Sequence, residues 1–299
     1  LSGSAAPGAA PDVLPPDARL RAPKRALPPG TVDCHAHIFD RFERYPLARG
    51  RKYSPPPCTR EAWLALHASL GVERGVQVHG SPYGFDNSIT EDFLREHPGR
   101  FVGVAQVPPD VDAALLKRLD AAGFRAARLM DQFATGATTK DLEAIAARVA
   151  PLGWHIEINL ARSADLAELE ARLARCPVPL VFDHLGRARG GEGLDAPGFK
   201  ALRRLLAERD DCWVKISSFY RLSDAGPPRY EDMRPLAQAL LAERPDRCVW
   251  GTNWPHPGLH DFVPNDADLL DVLESWLPNE QVRVPLFASN AARLYRFAT

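Results

Sequence analysis

Eight short apolar runs rich in Val, Ile and Phe, amphipathic stretches between them, and chemically active side chains where the runs end together predict an α/β fold, a single (β/α)8 TIM barrel. The runs are TVDCHAHIF from Thr31, RGVQVHG from Arg74, FVGVAQV from Phe101, FRAARLM from Phe124, WHIEINL from Trp154, PLVFDHLG from Pro179, CWVKISS from Cys212 and CVWGTN from Cys248. Runs this short and this apolar read as strands buried on both faces. TREAWLALHASLG from Thr59, DLEAIAARVAPLG from Asp141, SADLAELEARLARC from Ser163 and PGFKALRRLLAERD from Pro197 carry helical periodicity. Thr59 and Ser163 are placed to cap helix starts, and Gly71 and Gly153 to end helices. Strands and helices in alternation build a parallel sheet with right-handed crossovers. A doubly wound open sheet is the structural rival, but it carries a Gly-rich turn after its first strand, where this chain has His35-Ala36-His37.

The barrel accounts for residues 31–299 as one domain. Residues 1–30 stand apart, holding seven of the 28 prolines and no periodicity. They read as an arm that lies on the domain surface or on a neighbouring subunit of a homo-oligomer. With 37 Lys+Arg against 38 Asp+Glu, the chain lacks the excess of cations that a nucleic-acid partner draws on. No apolar run approaches the roughly 18 residues of a membrane span, and no secretory pattern opens the chain, so it reads as cytoplasmic, with no membrane partner. The five cysteines are scattered without a C-x-x-C pair, which argues for reduced, buried thiols rather than disulfides or a zinc knuckle.

Polar residues concentrate where the strands end: His35 and His37 on the first, His79 on the second, Arg128 on the fourth, Asp183, His184 and Arg187 on the sixth, Arg221 on the seventh, Asn253 and His256 on the eighth. In a parallel barrel those ends share one rim, the face on which barrel enzymes build their active sites. His35 and His37, two apart on a strand, share a side, with Cys34 and Ala36 on the other. Two such imidazoles suit one metal ion or one substrate oxygen, against the plainer alternative of hydrogen-bonded core histidines. Arg offers planar, bidentate recognition of a carboxylate. Each arginine alone is as readily a rim salt bridge, whereas three together argue for an anionic ligand. His67, His97, His155 and His260 read as helix-surface, loop or interior residues. The loop RFERYPLARGRKYSPPPCT after the first strand reads as a lid that brings Tyr53 to the pocket, and Gly190, Gly191 and Gly193 mark a second mobile segment.

The elements VDCHAHIF, VFDHLGR and GTNWPHP resemble the amidohydrolase superfamily, whose barrels carry H-x-H after strand one, His after strand six and Asp after strand eight. More narrowly, residues 31–299 resemble the 2-pyrone-4,6-dicarboxylate hydrolase-like lactonases of aromatic degradation. In that group an H-x-x-R after strand six is matched by His184 and Arg187, an Arg ending strand four by Arg128, one after strand seven by Arg221, and a Tyr before the first helix by Tyr53. The resemblance implies a metal-independent hydrolase with no cofactor, acting on a small anionic lactone. Arg128, Arg187 and Arg221 would clamp its carboxylates, with Tyr53, His79 and His256 as further substrate contacts. His35, His37 and His184 would polarise the ester carbonyl. The strand-eight carboxylate would be the general base.

This chain has Asn253 at that last position. An amide can orient water but cannot take its proton, and losing a general base costs about 10²–10⁴-fold in rate. The chain therefore reads as an inactivated variant or an altered homologue, with His79 and His256 as substitute bases. No Arg follows Arg128 where the family hydrolase has one, and His79 replaces a short polar residue, so a sulfonated or sugar-acid lactone also fits. Two rival readings stand beside this one. A zinc-dependent amidohydrolase or decarboxylase would use His35, His37 and His184, and gains credit if His155 and Glu157 face inward. A catalytically silent, anion-binding barrel needs only Asn253.

Overall fold

The computed structural model describes residues 13–133 and 135–298. Its strands are β1 (Val32–Ala36), β2 (Arg74–Val78), β3 (Phe101–Ala105), β4 (Phe124–Met130), β5 (His155–Asn159), β6 (Leu180–Phe182), β7 (Cys212–Ile216) and β8 (Cys248–Trp250). They pair in chain order, every neighbour parallel. Bonds from His37 N to Trp254 O (2.8 Å) and Asn253 N to His35 O (2.7 Å) bring the last strand end to the first, as a (β/α)8 barrel requires. The helices are α1 (Arg60–Leu70), α2 (Ser88–Glu96), α3 (Ala113–Ala122), α4 (Leu142–Val149), α5 (Ala164–Leu173), α6 (Pro197–Glu208), α7 (Arg234–Glu243), α8 (Asp266–Trp276) and α9 (Asn290–Tyr295).

Two apolar layers explain why the strand runs are apolar on both faces. Val32, Val76, Val102, Val104, Val181 and Val249 fill the barrel interior, closed beneath by Leu294, Tyr295 and Phe297. Ile156, Ile158, Phe182 and Ile216 point outward and pack under the helices. Thr59 caps α1, its hydroxyl accepting from Ala62 N at 3.2 Å, and Gly71 ends that helix at φ 76°. Gly153 ends the turn after α4 at φ 65°. Ser163 departs from expectation: its backbone is already helical and its hydroxyl makes no cap. The start of α6 packs directly against this residue: a Cβ on Gly198 would lie only 2.0 Å from the Ser163 carbonyl oxygen. The five cysteines are buried and unpaired, as expected.

A second departure lies in β1. Asp33 pairs with Gly75 but Ala36 pairs with Gln77, so Cys34 and His35 together oppose one residue of β2. This bulge breaks the alternation. Cys34 therefore packs with the interior valines, and His35 also points inward, to Lys215 and Asp183.

The described part of the arm lies on its own barrel; residues 1–12 fall outside the described residues. Leu14 N donates to Leu259 O at 2.8 Å, Arg21 pairs with Asp268 and Asp271, Lys24 N donates to Asp271 (2.7 Å), and Arg25 pairs with Glu280. Ion pairs to α8 and the turn after it thus hold a segment that forms neither helix nor strand. No helix among the described residues is long and apolar enough to cross a membrane.

Candidate active site

The strands deliver their side chains to the rim through unusual backbone. Among the described residues, nine non-glycine residues have positive φ, and six of them follow β6, β7 or β8: His184, Leu185, Arg187, Ser218, Asn253 and His256. Left-handed backbone costs a β-carbon-bearing residue of order 1–3 kcal/mol and persists where surrounding contacts enforce it. One enforcing contact is Asp33 in β1. It accepts from Thr252 N (2.9 Å), Thr252 Oγ1 (2.7 Å) and His35 N (3.1 Å), which locks the chain immediately before Asn253.

Beneath the rim lies a floor of buried charge. Lys215 Nζ is 2.5 Å from Glu157 Oε2, 3.1 Å from Asp183 Oδ1 and 3.1 Å from His35 Nδ1, and the lysine and both carboxylates are fully buried. Arg128 grips the other oxygen of Asp183 through Nε (3.1 Å) and Nη2 (2.8 Å) and donates Nη1 to His79 O (3.2 Å). Burial opposes the charge on Asp183, but Lys215, His35 and Arg128 hold its pKa well below the ordinary carboxylate value. Glu157 is lowered against burial in the same way, chiefly by Lys215, and also accepts from Tyr295 Oη at 2.6 Å.

These contacts bear on whether the donor set could hold a metal ion. His35, Asp183 and His184 bring ligand atoms within 4.8 Å of one another. Yet both oxygens of Asp183 already face cations, and an ammonium stands 3.1 Å from Asp183 and from His35. A divalent ion would have to share that space with Lys215, so the side chains as arranged do not fit one. His155 and Glu157 do face inward, but Glu157 is engaged by Lys215 and Tyr295.

Above the floor, one pocket is lined by His37, Tyr53, Arg128, His184, Arg187, Arg221 and Asn253. Seven of the ten expected site residues thus converge. His37 Nδ1 lies 2.8 Å from Val78 O; it must donate there, which leaves Nε2 as an acceptor toward the pocket. Burial holds His37 near a pKa of about 3 and His184 well below the ordinary imidazole value, so both are neutral. The expectation that His37 polarises a carbonyl by donation is therefore replaced by a role as acceptor. His184 Nδ1 meets Ser217 Oγ at 2.8 Å; with the hydroxyl donating, Nε2–H of His184 becomes a donor.

The arginines divide. Arg128 is committed to Asp183, the rim salt bridge that a lone arginine also fits. Arg187 and Arg221 form no ion pair among the described residues, and Arg187 Nε is buried without a hydrogen-bond partner. Burial first, then the charge of Arg221, lowers Arg187 to a pKa of about 10. Arg221 donates to Pro257 O and lies 5.5 Å over the Tyr220 ring. Two cations in one pocket without an acid between them attract an anion.

Residues 32–297 match the family model for amidohydrolases. The chain belongs to the amidohydrolase family. This amidohydrolase is 34% identical over 290 residues to the 4-sulfomuconolactone hydrolase of Hydrogenophaga intermedia, covering 95% of each chain. It is 34% identical over 282 residues to the 2-pyrone-4,6-dicarboxylate hydrolase of Comamonas testosteroni (91% of this chain, 92% of that one). It is 29% identical over 281 residues to the D-galactarolactone isomerase of Agrobacterium fabrum (93% and 94%). Among solved structures, an apo protein from Agrobacterium tumefaciens superposes with TM-score 0.86 at 28% identity, covering 93% of this chain and 98% of that one. The lactonase resemblance read from VDCHAHIF, VFDHLGR and GTNWPHP agrees with these relatives.

Three expected residues of this amidohydrolase lie off the pocket lining. His35 sits beneath it. His79 turns Nε2 to Asp86 O (3.1 Å), and His256 stands behind Asn253 against Tyr220. Tyr53 lines the pocket between Phe39 and Phe133, its phenol pushed up to about 12 by burial. Its loop is tied at the base by paired backbone bonds between Phe39 and Cys58. The segment at Gly190 and Gly191 is likewise tethered, to Leu222 O (3.0 Å) and Asp224 (3.2 Å). Sequence reasoning missed Ser81, Asn159, Gln132 and His260 in the lining, and Lys215 and Tyr220 below and beside it. Asn159 and Ser81 follow the same strand-end rule that found the histidines, and Lys215 announces itself as a charge inside the apolar run CWVKISS. His260 sits on irregular chain and Tyr220 in a single 3-10 turn, and neither carries a periodic signal.

Proposed function

We propose that this amidohydrolase opens the ring ester of a small lactone bearing carboxylate or sulfonate groups, without a metal ion. The observation that carries the reading is the pair Arg187 and Arg221, unneutralised in one pocket beside neutral imidazoles. Their guanidiniums bind the ligand's anionic group and orient the ring. His184 Nε2–H donates to the ester carbonyl, favouring the charge that develops there on attack. His37 Nε2 accepts from the attacking O–H and aims it. Relatives named as 4-sulfomuconolactone and 2-pyrone-4,6-dicarboxylate hydrolases support this substrate chemistry.

A second reading has Asn253 in its favour. An amide does not remove a proton from water, so a hydroxyl on the lactone itself can compete as nucleophile and give a ring isomer instead of an open acid. A relative named as a D-galactarolactone isomerase accords with that. One experiment tests both. Purified protein is incubated with 2-pyrone-4,6-dicarboxylate, 4-sulfomuconolactone and a sugar-acid lactone in oxygen-18 water, and the products are weighed. Hydrolysis places label in a new carboxylate, and isomerisation gives an unlabelled lactone of unchanged mass. If none of the three is consumed, the lactone reading is wrong, and binding without turnover would mark a silent barrel.

A further inference from the structure

One buried polar series beside the pocket is unused by the mechanism above. Tyr220 Oη accepts from Asn253 Nδ2 at 2.8 Å and lies 2.8 Å from His256 Nδ1. On the far side of the ring, His256 Nε2 is 3.2 Å from Asp266 Oδ1. The imidazole is fully buried and edge-on to the tyrosine ring, with centroids 5.1 Å apart at 81°. Nε2 of His256 and Oδ1 of Asp266 face each other as an ion pair and have no hydrogen-bond partner among the described residues. Chain geometry enforces the arrangement: Asn253 and His256 both adopt left-handed backbone, at φ 61° each.

Carboxylate, imidazole and hydroxyl in series is the arrangement that lets a weakly acidic O–H lose its proton, because the ring takes the proton and the carboxylate holds the resulting charge. We propose that Tyr220, backed by His256 and Asp266, is the proton acceptor of this site and supplies the function that Asn253 cannot. The inference rests on the lactone reading for its reaction but not for its existence. Asn253 spends its N–H on the phenol oxygen, so Oδ1 is the amide atom left to hold the nucleophile at the pocket, next to Tyr220. As the nucleophile's oxygen bonds to the lactone carbonyl carbon, its proton passes to the Tyr220 phenolate. The ring C–O bond then breaks and the departing oxygen takes that proton back. Nothing is oxidised or reduced; water has one O–H for His37 Nε2 and one for Tyr220, whereas a substrate hydroxyl has a single O–H, which then goes to Tyr220.

The groups facing Tyr220 favour its anion. Burial opposes ionisation, but His256 and Arg221, with the hydrogen bonds from Asn253 and His256, bring the phenol down to about 8. His256 is raised to about 9 by Tyr220 and Asp266, against burial. Arg187 and Tyr230 also lie within the field of this phenol. The other five of the chain's six tyrosines, Tyr45, Tyr53, Tyr83, Tyr230 and Tyr295, are all shifted upward, with burial the leading cause in each.

That contrast gives a test on the intact protein without substrate. Tyrosinate absorbance is followed against pH. One tyrosine ionises near pH 8, ahead of the rest; the early step vanishes in Tyr220→Phe and moves to higher pH in His256→Asn. Turnover provides the second arm: kcat rises with pH along the same limb, Tyr220→Phe lowers it by about 10²–10⁴-fold, and Tyr220→Phe/Asn253→Asp recovers rate with the limb moved to acid pH. The proposal is overturned if wild type shows no early tyrosinate step, or if Tyr220→Phe keeps both kcat and the limb. If the Phe variant does not fold, the wild-type and His256→Asn titrations decide. An early step in a protein that turns over no lactone supports the device and sinks only the substrate reading.

Discussion

Lys215 is the interior residue whose loss should be felt most, and the structure sets the scale. In Lys215→Met a buried ammonium 2.5 Å from Glu157 and 3.1 Å from Asp183 is replaced by an apolar chain of similar length. With an effective dielectric of about 20 those two attractions amount to roughly 12 kcal/mol before desolvation. Desolvating three ions costs several kcal/mol each and cancels most of that. Removing one member of such a cluster leaves uncompensated buried charge, for which about 3–5 kcal/mol is the usual penalty. At about 2–4 °C per kcal/mol for a chain of this class, Tm should fall by about 6–20 °C. Melting followed by circular dichroism at neutral pH measures it. Because the orphaned carboxylates can relieve themselves only by taking protons, the deficit should narrow as the pH is lowered toward about 5. A drop under about 2 °C, or a deficit independent of pH, would refute the description of this floor as a charge cluster. Turnover should fall as well, since His35 loses one of its two neighbours at Nδ1 and keeps only Asp183 there.

Three further outcomes follow from the geometry. In the Tyr220→Phe background, Asn253→Asp should raise hydrolysis of the best lactone by about 10²–10⁴-fold, read as incorporation of labelled water, because a carboxylate can take the proton that an amide cannot. Arg187→Met and Arg221→Met should each raise KM for an anionic lactone by about 10–100-fold, as losing a hydrogen bond to a charged group costs about 1.5–3 kcal/mol; KM for an uncharged lactone should hardly move, and equal effects on both would count against the anion clamp. Stability should fall on both sides of neutrality. His35, His37 and His184 have folded pKa values depressed by burial, so their contribution is complete above about 6.5 and is lost as pH falls through the folded values, about 3 for His37. Asp183 and Glu157, also depressed, act in the same direction below the ordinary carboxylate range. His256 is raised, so its contribution is complete below about 6.5 and is lost as pH rises through about 9. Melting temperatures measured from about pH 4 to 10 should therefore peak between those limits, and a flat profile would contradict the burial of these groups.

The barrel itself was legible because continuous apolar runs of strand length, separated by amphipathic helices, have one economical parallel arrangement, and all eight runs became strands. The rim was legible for the same reason: parallel closure carries every strand end to one face, so His37, His184, Arg187, Arg221 and Asn253 could be gathered from sequence positions alone. Local period sets which side of a strand a residue faces until a bulge intervenes, as at Cys34 and His35. It does not say which charges meet. Spacing did not show that Arg128, which lines the pocket, meets Asp183, 55 residues away, or that Lys215 reaches His35 across 180 residues. Tyr220 and His256, 36 residues apart, come together only because the ends of β7 and β8 turn through left-handed backbone into the same space. Hydrogen-bond partners and proton affinities are properties of that shared, water-poor space. Composition and spacing chose the residues, and barrel closure decided which of them hold charge, which hold protons and which are left free to meet a ligand.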